Sequence, residues 1–322
     1  MRRHVIIALA VVAGVGAAVA PTGAGAESGF DRVVTLGDSY SSGQGVHADA
    51  SDYDDHGPPR HKFDGSSLGG SACHRDFETT PGPRLAQDFG AESVFIACAG
   101  AEVRHIPNQL ASAAIPGDGS GTLVSITIGG NDLRTRGGED WPTVLLDCIV
   151  SFGCDHGGSN QPINLVALES DLTALYTRVG LEYPEITVRA LGYPRLMQRE
   201  RWGCPGVTGV GRGEADWIDR QVDSLNDAIA GAARVAGRVT GADIRYVSVV
   251  DEFDNRGSCR FWQRDRYVND HVSGEILSRR MADDGTVFDK FTDTLVTVSG
   301  SSFHPSRKGY EAYYRVLADS LD

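Results

Sequence analysis

The sequence predicts an α/β fold, a three-layer sandwich in which a central parallel sheet is flanked by helices. Three observations predict it. Short apolar, β-branched runs recur along the chain, each closed by a turn signal rich in Gly, Asn or Asp. Stretches with helical periodicity lie between them. The polar residues that could do chemistry fall just behind the runs, where parallel α/β sheets place their sites.

The elements follow in chain order. Arg2, Arg3 and His4 precede an uncharged run from Val5 to Ala20, about 16 residues, shorter than the ~20 of a membrane span. Pro21 and the small residues Ala24-Gly25-Ala26 follow. Residues 1–26 therefore read as a signal peptide cut after Ala26, making the chain a secreted, extracellular protein with no stable membrane anchor. The arginine pair also fits a twin-arginine route, but it is an ordinary positive start to a leader. Residues 27–322 are expected to form one domain, since no linker, repeat or low-complexity block interrupts them.

Strands are expected at 33–36, 93–97, 123–128, 186–191 and 244–250. A helix over 165–179 places Leu165, Leu168, Leu172, Leu175, Tyr176 and Val179 on one face, and another over 214–235 aligns Ile218, Val222, Leu225 and Ile229. Behind Pro305, the residues Tyr310, Tyr313, Tyr314 and Leu317 mark a terminal helix. Two stretches, 46–72 and 134–162, read as long loops after the first and third strands, placed to wall a cleft.

Charge and cysteine content bound the function. The net charge of −13 argues against a nucleic-acid partner, which would need clustered Lys and Arg. Six cysteines, Cys73, Cys98, Cys148, Cys154, Cys204 and Cys259, imply disulfides in an exported chain. Fifteen pairings are open to six cysteines. Pairing in order, Cys73 with Cys98, Cys148 with Cys154 and Cys204 with Cys259, is favoured because each bond would close a long or glycine-rich excursion. Zinc is the weaker reading, since no Cys-x-x-Cys and no paired histidines accompany them. A monomer is the default for a compact disulfide-bonded domain.

Four places carry potential chemistry. The first strand ends in GDSYSSG, residues 37–43, with Ser39 at a tight turn where a substrate carbonyl can reach it. This is not the Gly-x-Ser-x-Gly elbow, because Ser41 stands where the second glycine belongs. Gly100 follows the second strand, and Asn131 stands in the IGGND segment after the third, where an amide can donate to a developing oxyanion. His304 precedes Pro305 and the terminal helix, a rigid place to hold a base. Each has an ordinary explanation on its own: a turn and helix cap at 37–39, a Gly-Gly-Asn-Asp turn, an exposed loop histidine.

Taken together, the blocks GDSYSSG, ACHR (72–75), ACAGA (97–101), IGGND (128–132), GYPRL (192–196) and FHP (303–305) resemble those of the SGNH (GDSL-type) hydrolase superfamily, closest to secreted actinobacterial lipases and esterases. The resemblance spans nearly the whole mature chain, and its subgroup also pairs six cysteines in sequence. It implies an SGNH, flavodoxin-like fold and a serine carboxylic ester hydrolase acting on a small-molecule or lipid ester, with no cofactor and no metal. By the same resemblance Ser39 is the nucleophile and His304 the general base. The N–H groups of Ser39 and Gly100 and the Asn131 amide form the oxyanion hole. Many relatives carry Asp three residues before the histidine, where this chain has Ser301. The resemblance therefore implies a Ser-His dyad, with the Ser301 carbonyl, or failing that the Ser302 carbonyl, accepting from His304 Nδ1. Asp293 is the competing partner. Two other functions stay open: a carbohydrate acetyl esterase, with Trp141, Trp202, Trp217 and Trp262 as sugar platforms or simply core, and a secreted binding protein without activity.

Overall fold

The structure is a computed structural model and describes residues 29–47, 73–151, 162, 164–197, 204, 210–258, 266–269 and 303–322. The expected signal peptide, most of the 46–72 loop, Cys154, Trp202, Cys259, Trp262, Asp293, Ser301 and Ser302 lie outside these residues.

Among the described residues the strands are β1 (Arg32–Gly37), β2 (Glu92–Phe95), β3 (Thr122–Thr127), β4 (Thr187–Leu191) and β5 (Asp243–Val247). All pair in parallel, in the order β2-β1-β3-β4-β5. The helices are α1 (Ser39–Ser42), α2 (Pro81–Phe89), α3 (Ile106–Ala113), α4 (Trp141–Ser151), α5 (Leu165–Glu182), α6 (Arg212–Thr240) and α7 (Arg307–Asp319).

Strand register decides which helices cover which face. One row runs through Val34, Val124, Val188 and Ile244, and Ile244 packs against Gly180 of α5 and Gly237 of α6. The alternate row runs through Thr35, Ser125, Arg189 and Arg245. On that side Thr35 meets Gly82 of α2, and Arg189 Nε donates to Ser320 O just past α7, at 3.2 Å. Right-handed crossovers require this split. The chain leaves β1 toward β2 through α2, then reverses to reach β3, β4 and β5, so α5 and α6 cover the opposite face, and α7, which follows the last strand, returns to the face of α2. The reversal makes the border between β1 and β3 a topological switch point, where a crevice opens at the carboxyl ends of the strands.

The apolar faces expected of α5 and α6 are buried, including Leu168, Leu172, Leu175 and Tyr176 on α5 and Ile218, Val222, Leu225 and Ile229 on α6. Trp141 and Trp217 are buried with ring centroids 5.7 Å apart, so these two belong to the core. Two strands are shorter than their apolar runs. Buried Arg75 donates from Nε to Ala97 O at 2.9 Å and from Nη2 to Ile96 O at 3.1 Å, taking carbonyls that a longer β2 would offer to the ladder. At the end of β5, Val247 O accepts from Gly192 N at 3.0 Å, and the chain turns away.

Cys73 and Cys98 form a disulfide across 25 residues, as expected. Cys148 and Cys204 are also disulfide-bonded; their expected partners fall outside the described residues. A loop of that length closed in the unfolded chain contributes about 3 kcal/mol. The Cys73→Ala, Cys98→Ala double variant is expected to lose roughly that much in urea unfolding, and a loss under ~1 kcal/mol would refute the assignment of this bond as a main staple.

Candidate active site

The site begins where β1 stops. Gly37 has φ 116°, and a Cβ there would lie 2.2 Å from Thr127 O, so only glycine lets β1 approach β3 this closely. Gln109 holds the turn from both sides: its Oε1 accepts from Gly37 N at 2.7 Å and its Nε2 donates to Gly37 O at 3.0 Å. Asp38 caps α1, its Oδ1 accepting from Tyr40 N at 2.9 Å. The cap reading and the nucleophile reading therefore describe one turn, in which the cap presents Ser39, itself buried, as the first helical residue. Ser41 Oγ accepts from Thr127 N at 2.8 Å, binding the turn to β3.

His304 arrives from the other end of the chain, with its Nε2 2.8 Å from Ser39 Oγ across 265 residues. Several bonds seat its loop on α1. Tyr40 OH donates to Phe303 O at 2.7 Å, and Tyr310 OH, from α7, donates to Gln44 O at 2.8 Å. Asn269 N donates to His304 O at 2.9 Å, and Asn269 Nδ2 donates to Gly45 O at 2.8 Å. A Cβ at Gly45 would meet His304 Cβ at 2.7 Å. Phe303 is held at φ 59°, a left-handed conformation costly for a bulky residue, and the Tyr40 bond to its carbonyl helps to keep it there. Ser301, Ser302 and Asp293, expected beside the imidazole, are outside the described residues.

Gly100 and Asn131 come from neighbouring loops. Gly100 is exposed with φ 77°, and nothing stands within 4 Å of where its Cβ would be. Asn131 lies in the 3-10 turn Gly130–Asp132 and donates from Nδ2 to Ala101 O at 3.0 Å. Among the described residues, neither Ser39 N nor Gly100 N donates to another backbone group outside regular helices and strands.

Sequence reasoning missed what joins these loops. Asp132 accepts from Val103 N at both carboxylate oxygens, at 3.1 and 3.0 Å. Arg134 pairs through Nη2 with Glu102 Oε1 at 2.9 Å, while its Nη1 donates to Leu133 O at 3.0 Å. Asn164 Nδ2 donates to Asp132 O at 2.7 Å. The available signal was the adjacency of Glu102 to Gly100, and of Asp132 and Arg134 to Asn131.

The chain is similar to known proteins along most of its length. The model of the GDSL-like Lipase/Acylhydrolase family matches residues 35–312. A lipase of Streptomyces rimosus is 29% identical over 217 residues, 65% of this chain and 68% of that protein. Lipase 1 of Streptomyces coelicolor is 28% identical over 218 residues, 67% of this chain and 70% of that one. The crystal structure of phospholipase A1 from Streptomyces albidoflavus NA297 superposes with a TM-score of 0.61 at 24% identity, covering 90% of this chain and 99% of that one; it shares the fold.

Burial pushes Asp132 up to about 7, opposed by the Val103 N–H and by Arg134, and reinforced by Glu102 and Asp171. Between its unfolded value near 3.8 and about 7, the folded state holds a proton that the unfolded state has lost, so this group's contribution to stability falls as pH rises. Asp132→Asn removes that fall. The melting temperature of the variant, relative to wild type, is expected to be higher at pH 8 than at pH 5. A constant difference across that range would contradict the assignment.

Proposed function

The chain belongs to the GDSL-like lipase/acylhydrolase family and is a carboxylic ester hydrolase, and from this premise we propose that Ser39 and His304 are its catalytic dyad. The observation that carries the reading is the 2.8 Å approach of His304 Nε2 to Ser39 Oγ. A serine hydroxyl needs a base at such a distance to become nucleophilic at neutral pH. His304 Nε2 takes the Oγ proton as Oγ bonds to the ester carbonyl carbon. The tetrahedral oxyanion is held by the N–H groups of Ser39 and Gly100 and by the Asn131 amide. As the carbon–oxygen bond to the alcohol breaks, His304 returns its proton to the leaving oxygen. Water then repeats the cycle on the acyl-enzyme and releases the acid.

The substrate we assign is a lipid-like acyl ester, because both curated relatives above are lipases. The export reading rests on the leader and on the oxidised cysteines, which persist in oxidising compartments. The described helices include none long and apolar enough to cross a membrane. The expected partner of His304 Nδ1, the backbone carbonyl of Ser301 or failing that of Ser302, lies outside the described residues.

Nitrophenyl esters of graded acyl length test the assignment. Ser39→Ala is expected to lower kcat/KM by at least ~10³-fold, and activity is expected to rise from acetyl toward longer chains. Activity confined to acetyl esters would overturn the lipid assignment. Ser301→Ala keeps its carbonyl and is expected to stay within about threefold of wild type. Asp293→Asn is expected to do the same, whereas a drop approaching ~10⁴-fold would identify Asp293 as the third member of a triad.

A further inference from the structure

The geometry points to Tyr193 as a positioning residue, whose buried hydroxyl ties the turn bearing Ser39 to the turn bearing Asn131 and so fixes the spacing between nucleophile and oxyanion donor. The inference deepens the dyad and oxyanion-hole reading above and rests on it.

Tyr193 lies two residues beyond β4, in neither turn that it joins. Its hydroxyl donates to Asp38 Oδ2 and accepts from Gly130 N at 2.9 Å. Asp38 immediately precedes Ser39, and Gly130 immediately precedes Asn131. The hydroxyl thus touches the chain one residue upstream of each group that meets substrate. A Cβ at Gly130 would stand 3.1 Å from the Tyr193 ring and hydroxyl, so the glycine there serves this approach.

The ring itself is well held. Asn226 Oδ1 accepts from Tyr193 N and Asn226 Nδ2 donates to Tyr193 O, both at 2.8 Å. Tyr40 packs edge-on to the ring with centroids 5.0 Å apart, and Tyr313 OH, from α7, donates to Gly192 O at 2.7 Å. Burial, then the Asp38 charge, raises Tyr193 well above its ordinary value, so the phenol keeps its proton and can donate to Asp38. Burial pushes Asp38 up to about 7, opposed by the bonds from Tyr193 and Tyr40 N and reinforced by Asp132.

Without the hydroxyl, a buried carboxylate oxygen and the Gly130 N–H each lose this partner, a costly state that the turns relieve by moving. A displacement of about 1 Å at a catalytic group can cost ~10²-fold in rate.

The test is a double-variant cycle in the full-length enzyme on a nitrophenyl ester. Tyr193→Phe is expected to lower kcat roughly 10- to 100-fold with KM within about threefold. In an Asn131→Ala background the same substitution is expected to cost less than about twofold, because its effect passes through Asn131. An equal loss in both backgrounds, or no loss in wild type, overturns the role of Tyr193. Asn131→Ala alone is expected to lose about 10²- to 10³-fold in kcat; if it does not, the oxyanion reading itself fails. If Tyr193→Phe does not fold, Asp38→Asn weakens the same bond from its other end, and the same dependence on Asn131 is expected.

Discussion

Where the parallel strands stop, backbone N–H and C=O groups lose their ladder partners while still buried, and each must find another. Side chains from distant parts of the chain supply them. Gln109 brackets Gly37, Ser41 accepts from Thr127 N, Arg75 serves Ile96 and Ala97, and Tyr313 serves Gly192. The carboxyl end of the sheet is thus a hydrogen-bonded platform, and the residues proposed for chemistry stand one step beyond the atoms it holds.

That arrangement explains why the site survives its scattered origin in the chain. Ser39 follows β1, Gly100 follows β2, Asn131 follows β3, and His304 precedes α7. The reversal of chain direction between β1 and β3 opens a crevice at their ends, and α7 packs on the sheet face shared with α2, which returns His304 to the mouth of that crevice. The aromatic side chains there carry more than apolar area. Tyr40 and Tyr310 spend their hydroxyls on carbonyls of the His304 loop and the Ser39 turn, as buried tyrosines usually do.

The electrostatics have the same origin. Asp38 and Asp132 are pushed up to about 7 by burial, yet each takes hydrogen bonds that favour its charged form. Both flank the reacting residues in sequence. Their carboxylates hold turns in place, and the cost of burying them is part of the cost of a preorganised site.

Much of this was legible from local sequence. Apolar runs ending in glycine turns mark the strands, and helical spacing marks α5, α6 and α7, because an unbroken apolar run and a 3.6-residue periodicity are both local properties of the chain. Ser39, Gly100, Asn131 and His304 stand out because they recur together in one family's blocks. The helices α2 and α3 were not anticipated, because each is short and has a proline in its first turn, and α4 occupies part of the 134–162 stretch expected to be a long loop, its Trp141, Val144, Leu145 and Cys148 being buried in the core.

Other features depended on residues far apart. Arg75 ends β2 by taking carbonyls more than twenty positions away, and Tyr193 meets Asp38 across 155 positions. The sequence alone determined which residue types were available for ester chemistry and which elements would carry them. Only the tertiary structure decided that a tyrosine beyond β4 bridges two turns, because a hydrogen bond depends on where atoms lie and in which direction they point, and no local pattern in the chain encodes either for groups this remote.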